Sequence, residues 1–377
     1  MARKNRVVLR DAVYHITSRV AHREFLFEDD AFKDRIAGWI QGVADFSGVE
    51  VYAWSVMDNH FHLLVHVPRV PREYWTDPSD EPDSQAFGMR PAECRVPRWT
   101  PAAGDSPHGE GKLTGDSPHG EGRSGGDGSR REGVFRPAVG FELSDEEMLG
   151  RLLSLYGDED RIARLRKAWA EMRASGNGGA VDAVKERYSR RMYNVSQFVK
   201  TLKERIAMVY NSEHGHEGAV WQGRFHSSLV EDAVEVRAIV AAYDDYNPVK
   251  AGLADSHSQY RWCSFGSAMG NGPFSERSRR GYEKLLGRPW KEARAVMEAI
   301  FTLKDIVLHV PRDEDDETMN AALAVRLRVP AFTRGVYIGH DRSLAREAMD
   351  ELPRNFPRPS FRKALDDCGK FIWDRVA

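Results

Sequence analysis

The stretch "VYAWSVMDNHFHLLVHVP", residues 51–68, decides the fold. It contains two β-rich segments joined by Asp58 and Asn59, a pair suited to a tight hairpin turn. Residues two apart in a strand share a face, so His60 and His62 project one way and Phe61 the other. The stretch predicts a hairpin whose two imidazoles can chelate one ion. The alternative is a pair of half-buried histidines that hydrogen-bond to neighbours or to solvent.

The segments around this hairpin complete a small α+β pattern. Residues 12–20, "AVYHITSRV", alternate as a strand, with Val13, His15, Thr17 and Arg19 on one face. Helices are predicted over residues 29–48 and 194–215, a strand over 221–232, and a helix from 233 to the proline at 248. The order βαββ followed by α, β and α predicts a ferredoxin-like or RRM-like fold, a small antiparallel sheet with helices on one face.

Composition divides the chain into three parts. Residues 1–68 and 191–270 carry the α+β pattern. Residues 69–190 are predicted to be a largely disordered insertion, rich in Gly, Pro and Ser, in which "GDSPHGEG" occurs at 104–111 and 115–122. Within it, residues 143–157 and 160–174 predict a helical hairpin. Residues 271–377 predict a helical C-terminal extension whose basic cluster either contacts duplex DNA or serves packing: Arg277, Arg279, Arg280 and Lys284.

Bulk composition excludes several protein classes. The chain has 377 residues, 55 of them basic and 57 acidic, so any site for a polyanion must be local. No apolar run approaches the roughly 18 residues of a membrane span, and the first 20 residues lack the apolar core of a signal peptide. We therefore expect a cytoplasmic protein without a membrane partner. The three cysteines fit neither a disulfide framework nor a zinc-ligand spacing.

A second motif, "YDDYNPVK" at residues 243–250, offers a nucleophile and a ligand together. Tyr243 and Asn247 are four residues apart, so they lie on one helix face. Pro248 is predicted to push Asn247 out of helical geometry, which places its carboxamide at the helix end, within reach of an ion. The alternative is an amphipathic helix that ends in an ordinary Asn-Pro stop.

Four motifs together resemble a known family. The segments "YHITSRV", "MDNHFHLLVHVP", "VWQGRFHSSLVED" and "YDDYNPVKAGL" occur in the order seen in single-tyrosine HUH transposases, of the insertion-sequence-200 type, and most closely resemble REP-associated tyrosine transposases. The resemblance covers residues 1–68 and 191–270. Val20 departs from the family pattern, where glycine is usual, and so do Asp244 and Asp245, where an apolar residue and a histidine are usual.

The resemblance implies a site and a reaction. His60 and His62 would be the HUH pair, Asn247 the third ligand of Mg²⁺ or Mn²⁺, and Tyr243 the nucleophile. Attack on single-stranded DNA beside a REP-like hairpin would leave a 5′-phosphotyrosine and a free 3′-hydroxyl, and the reverse step would rejoin strands. The chain would be nucleoid-associated and could act as a homodimer. The expected nucleic-acid contacts are Arg19, Arg224, Phe225, His226 and Lys250.

Two other functions remain open at this point. One is a catalytically silent module that binds DNA or RNA on the same fold. The other is a small-molecule metallohydrolase, which needs only the histidines and leaves Tyr243 without a role. Covalent capture of DNA separates the enzyme from the binding module, and turnover that survives Tyr243→Phe would indicate the hydrolase.

Overall fold

A computed structural model describes residues 9, 11–77, 140–309, 337–339 and 372–373. Its strands are β1 (Ala12–Arg19), β2 (Glu50–Met57), β3 (His60–Val67), β4 (His226–Val230), β5 (Tyr337–Ile338) and β6 (Ile372–Trp373). Its helices are α1 (Asp30–Ser47), α2 (Asp145–Tyr156), α3 (Glu159–Ala174), α4 (Gly178–Ser189), α5 (Val195–His214), α6 (Val234–Lys250), α7 (Ser264–Met269), α8 (Ser275–Leu286) and α9 (Trp290–His309). None of these helices is long and apolar enough to cross a membrane.

The described strands form one sheet in the order β2-β3-β1-β4-β5-β6. The strands β2, β3, β1 and β4 pair with one another antiparallel, and β5 pairs parallel to β4. The predicted hairpin is present, since β2 and β3 are joined at Asp58 and Asn59. Thr17 of β1 lies opposite both His62 of β3 and His226 of β4. Directly opposed residues share a face, so this register gathers residues of three strands on one side of the sheet.

The first face of the sheet is apolar and is covered by α1 and α5. Asp29 caps α1 by accepting a hydrogen bond from the Phe32 N–H, and Gly48, at φ 71°, ends the helix in the left-handed region that suits glycine. The buried side chains of this layer come from both the strands and the helices: Tyr14, Ile16, Phe61, Leu63, Val65, Ile36, Ile40, Phe198 and Leu202.

The opposite face, which we call the second face, is also covered, so the prediction of helices on one face is wrong. Val13, Leu64 and Val230 belong to a second buried cluster, which includes residues of α6, α8 and α9. Strands buried on both faces carry near-continuous apolar runs, and β2 and β3 have such sequences. The second face is important for the site, because α6 carries Tyr243 and packs on the face that bears the histidines.

The predicted helical hairpin of the insertion corresponds to α2 and α3, and a third helix, α4, follows it. A Cβ added at Gly42 of α1 would lie 2.4 Å from the Ser154 carbonyl oxygen of α2, so the two helices pack with backbone in close contact. The Arg151 guanidinium donates to the Phe46 carbonyl and to the Tyr193 hydroxyl. Helix α2 therefore packs against α1, and all three helices share the buried apolar cluster of the first face. The octapeptide repeat, and its predicted disorder, lie outside the described residues.

The start of the predicted C-terminal extension packs onto β2. The Trp54 indole donates to the Ser278 hydroxyl at 3.3 Å, and a Cβ added at Gly281 would lie 2.6 Å from the Tyr52 carbonyl oxygen. The basic cluster is engaged within the chain, by Asp45, Glu50, Glu276 and the carbonyls of Ala268 and Gly270. These contacts favour packing over duplex binding for this cluster. The three-part division of the chain itself remains a prediction.

Candidate active site

A row of polar side chains crosses the otherwise apolar second face, beneath α6. The strand register places these residues side by side: Ser55 of β2, His62 of β3, His15 and Thr17 of β1, and His226 and Ser228 of β4. His15, His62, Ser55 and Ser228 are buried. Buried polar groups are costly unless they are hydrogen-bonded, so a row of them needs an explanation that apolar packing does not give.

His60 and His62 lie on the same face, as predicted, with ring centroids 5.0 Å apart. In each ring the Nδ1 atom lies close to a polar atom of a neighbouring side chain. His60 Nδ1 lies 2.6 Å from the Asn59 side-chain oxygen, and His62 Nδ1 lies 3.4 Å from Asp244 Oδ1 and 3.4 Å from His15 Nε2. Among the described residues no hydrogen bond reaches Nε2 of either ring. The two Nε2 atoms are therefore the ones that could bind a shared ion.

The prediction that the helix of the tyrosine ends at Pro248 is wrong. This helix, α6, runs from Val234 to Lys250 and contains the proline. A proline inside a helix removes one N–H, and here the last turn keeps the neighbouring bonds. The Ala251 N–H donates to the Asn247 carbonyl at 3.0 Å, and the Leu253 N–H to the Pro248 carbonyl at 2.9 Å. Asn247 is consequently helical, one turn beyond Tyr243 and on the same face, as its spacing predicted.

Tyr243 lies edge-on against the histidines. Its ring centroid is 5.7 Å from that of His62 and 6.0 Å from that of His15, and its side chain is buried. Burial raises the pKa of the hydroxyl well above its ordinary value, and the Asp244 carboxylate raises it further, while Asn247 and Arg19 lower it. A neutral phenol is a weak nucleophile, so Tyr243 could act as one only with added positive charge beside it.

Asp244 and His15 join the site, and sequence reasoning assigned them no role. The Asp244 carboxylate is fully buried and lies 2.8 Å from His15 Nε2. Ligand atoms of His15, His62 and Asp244 lie within 4.8 Å of one another, close enough to hold a metal ion. A signal was present for His15, because strand alternation put it on the face of Arg19 and Thr17. No sequence pattern linked it to Asp244.

Asp245, the next residue, points away from the site. Its carboxyl accepts hydrogen bonds from the Phe265 N–H at 3.0 Å and from the Tyr282 hydroxyl. Complete burial raises the pKa of Asp245 to about 7, against the opposing effect of these two donors. Asp245 thus ties α6 to α7 and α8, and of the two aspartates only Asp244 contacts the histidines.

The donor chemistry of the predicted ligands suits a divalent cation. Burial lowers the pKa of His60 to about 4 and that of His62 well below its ordinary value, and nearby positive charges, including Arg19, act in the same direction. Both imidazoles are therefore neutral at pH 7, which is the form that binds metals. The Asn247 amide interacts with the Tyr243 hydroxyl, whose pKa it lowers, so it lies beside the tyrosine at this site. Two imidazoles and an amide oxygen form a compatible ligand set.

The predicted nucleic-acid contacts divide into two groups. Arg19, Arg224 and Lys250 are exposed, and Arg19 lies near enough to His60 and Tyr243 for its charge to lower the pKa of each. His226 lies at the end of the polar row, with Nε2 3.1 Å from the Ser228 hydroxyl. Phe225, in contrast, is 8% exposed and packs in the apolar core, a position that does not favour the predicted stacking on a base.

Comparison with known proteins supports a transposase relationship for the N-terminal part. Residues 9–71 match the family model described as "Transposase IS200 like", a range that contains β1, α1 and the histidine hairpin. The resemblance inferred from the motifs is confirmed over that range, while Tyr243 lies outside it. No curated protein matches the sequence. A solved structure of a REP-associated tyrosine transposase bound to a REP hairpin aligns with 71% of this chain and 84% of its own, at 13% identity and a TM-score of 0.32, too low to carry an argument.

Proposed function

We propose that this chain, transposase-like over residues 9–71, is a metal-dependent enzyme that cuts and rejoins single-stranded DNA through Tyr243. One observation carries the proposal. The only described hydroxyl nucleophile that α6 sets against His62 is Tyr243, with ring centroids 5.7 Å apart. Two neutral histidines, whose Nε2 atoms make no hydrogen bond to the described residues, lie beside this tyrosine, and that arrangement suits an ion-assisted nucleophile better than a structural tyrosine.

The reaction we propose is a transesterification. The Tyr243 oxygen attacks the phosphorus of a DNA phosphodiester and loses its proton, and a bond forms between them. The bond from phosphorus to the 3′-oxygen breaks, and that oxygen takes up a proton. The products are a 5′-phosphotyrosine and a free 3′-hydroxyl. Because the number of ester bonds is conserved, no external energy source is needed, and the same site can run the step backwards to join strands.

The residues of the site have separable roles in this step. His60, His62 and Asn247 would hold Mg²⁺ or Mn²⁺, whose charge would stabilise the attacked phosphate and the phenolate. Arg19 adds a fixed positive charge at the same edge, in the direction that lowers the pKa of Tyr243. Burial of the Tyr243 ring restricts water around the nucleophile, which favours strand transfer over hydrolysis of the covalent link.

The substrate we propose is single-stranded DNA beside a hairpin, on a ferredoxin-like HUH domain. One tyrosine cuts one strand. The exposed charges of Arg19, Arg224 and Lys250 suit the phosphate backbone of a strand that approaches the polar row. The hairpin preference follows from the motif resemblance, as do a nucleoid location and a homodimeric form. His226 lies in the polar row and could contact the strand next to the cut.

The test is covalent capture. Full-length protein is incubated with single-stranded hairpin DNA from the flanks of its own gene, labelled on the 3′ side of the cut, with Mg²⁺, Mn²⁺ or EDTA. We expect a denaturation-resistant, metal-dependent adduct that carries the label. Tyr243→Phe should abolish it, because only the hydroxyl is removed. The matched control is Tyr246→Phe, which changes a tyrosine of the same helix three residues away and should leave the adduct intact.

Other outcomes select the alternative functions. DNA binding with no adduct under any metal would favour the silent binding module. An adduct that persists in Tyr243→Phe but not in Tyr246→Phe would reassign the nucleophile. Absence of both binding and adduct with every hairpin tested would contradict the proposed function.

A further inference from the structure

The buried pair of His15 and Asp244 has no role in the chemistry described above. Both side chains are fully buried, and His15 Nε2 lies 2.8 Å from Asp244 Oδ1. Burying a carboxylate is costly even when it is paired, and such pairs often contribute little net stability. An apolar pair of similar size would pack this position at lower cost. The arrangement is therefore better explained by a third group that it contacts.

That third group is His62. Asp244 Oδ1 and His15 Nε2 each lie 3.4 Å from His62 Nδ1, so the inward nitrogen of His62 faces a carboxylate. A proton on Nδ1, pointed at this carboxylate, leaves the lone pair on Nε2. The ring cannot rotate easily, because His15 stacks on it with centroids 5.5 Å apart and an interplanar angle of 16°. Tautomer and orientation are fixed by the same two neighbours.

We propose that His15 and Asp244 are positioning residues, which hold the His62 imidazole with Nε2 directed at the metal. The inference rests on the proposed function, because it gives His62 the ligand role assigned there. It adds two residues that touch neither DNA nor the ion. It also gives a reason for the buried aspartate at position 244, whose carboxylate faces both histidines.

The chain provides a matched control in Asp245. It is also a fully buried carboxyl on α6, but it bonds to Phe265 and Tyr282 on the side away from the histidines. Any loss of helix stability that follows from neutralising a buried aspartate should appear in both Asp244→Asn and Asp245→Asn. A change in metal affinity should appear only in Asp244→Asn.

The experiment measures Mn²⁺ binding to the full-length protein without DNA, by calorimetry and by the electron paramagnetic resonance signal of free Mn²⁺. We expect Asp244→Asn to weaken the Kd by about 10- to 100-fold, as loss of a carboxylate behind a ligand histidine typically does, and Asp245→Asn to leave the Kd unchanged. His15→Gln keeps a donor at the position of Nε2 and should stay near wild type, whereas His15→Leu should weaken the Kd. The His15 variants also serve if Asp244→Asn does not fold.

Three results would overturn the inference. Wild-type Mn²⁺ affinity in both Asp244→Asn and His15→Leu, with only Tm lowered, would make the pair structural. Binding that survives His60→Ala but is lost in His15→Leu would place the ion inside the buried triad. A wild-type protein that binds no Mn²⁺ would remove the role altogether. Since none of these readings uses DNA, they are independent of whether the tyrosine forms an adduct.

Discussion

The two faces of β3 differ in what they bury. Phe61, Leu63 and Val65 point into the apolar layer beneath α1 and α5. The alternate residues His60 and His62 point toward α6, where the buried neighbours are an aspartate, another histidine and a tyrosine. One strand thus contributes apolar packing on one side and, under the proposed function, the metal ligands on the other. Alternation separates the two tasks, so adjacent substitutions should have opposite consequences.

The largest expected effect on stability comes from Phe61→Ala. The ring is fully buried between the sheet and its helices, and removing it leaves a cavity, so the free energy of unfolding should fall by about 3–5 kcal/mol. Chemical denaturation followed by circular dichroism measures this. If the free energy of unfolding falls by less than about 1 kcal/mol, the Phe61 face of β3 does not contribute mainly to stability.

The matched substitution is at the next residue, His62. Because a Gln amide would put an oxygen at the position of the ligand atom Nε2, the decisive variant at this residue is His62→Asn, whose shorter amide lies near Nδ1. It leaves a polar group in the row but removes the ligand, so adduct formation should be abolished while the loss of stability stays well below that of Phe61→Ala. Equal stability losses for the two variants would show that the faces are not specialised.

Tyr282→Phe should have an intermediate effect and separates the two kinds of polar contact on the second face. It deletes the hydroxyl that donates to buried Asp245, and a buried acceptor left without one donor typically costs about 1–3 kcal/mol. Mn²⁺ affinity and the amount of adduct per folded molecule should be unchanged. A fall in Mn²⁺ affinity would show that the anchor of α6 also sets the site.

A smaller, pH-dependent effect is expected where β2 and β3 meet, at Glu50 and His66. The hydrogen bond with His66 lowers the pKa of Glu50 to about 2, burial opposes this shift, and Lys284 adds to it. Burial also opposes the shift of His66, but hydrogen bonds to Glu50 and Asp11 raise its pKa. The contribution of Glu50 is present above its ordinary value of 4.5 and disappears as pH falls toward about 2. That of His66 is present below 6.5 and disappears as pH rises through its raised pKa.

The difference in Tm between wild type and Glu50→Gln should therefore be widest between pH 4.5 and 6.5 and narrow on both sides. Thermal melts across pH 2 to 9 provide the measurement. A difference that does not vary with pH would contradict the pairing of Glu50 with His66.

The smallest effect on stability belongs to Arg19→Gln, at the exposed edge of the site. Arg19 is exposed and makes no ion pair with the described residues, so its loss should change the free energy of unfolding by less than about 0.5 kcal/mol. If Arg19 contacts one phosphate, the slope of log K against log salt for single-stranded DNA should fall by about 0.7. Binding titrations at several salt concentrations measure this slope, and an unchanged slope would exclude the contact.

Local patterns predicted much of this arrangement. Alternation in "AVYHITSRV" and "HFHLLVHV" placed His15, His60 and His62 correctly, and the four-residue spacing placed Asn247 on the face of Tyr243. These relations depend on strand and helix geometry within a few residues, which sequence displays directly. The helices on the second face were not predicted, although the near-continuous apolar sequences of β2 and β3 are typical of strands that are buried on both sides.

Other features depend on contacts that no local pattern shows. Pro248 was expected to end the helix, but the loss of a single hydrogen bond near a helix end is offset by the bonds of the last turn. Phe225 follows an exposed arginine, yet it is turned into the core. The pairing of His15 with Asp244 joins residues 229 positions apart, and their side chains reveal it only when the sheet and α6 are packed together.

That separation has a consequence for how the protein is made. The histidine hairpin leaves the ribosome early, whereas the helix with the nucleophile emerges only after the insertion and its three helices. The anchors of that helix, Phe265 and Tyr282, are made later still. A nascent chain therefore carries the two histidines without Tyr243 while the whole insertion is being made. Under the proposed function, cutting of DNA would become feasible only when these distant parts have folded together.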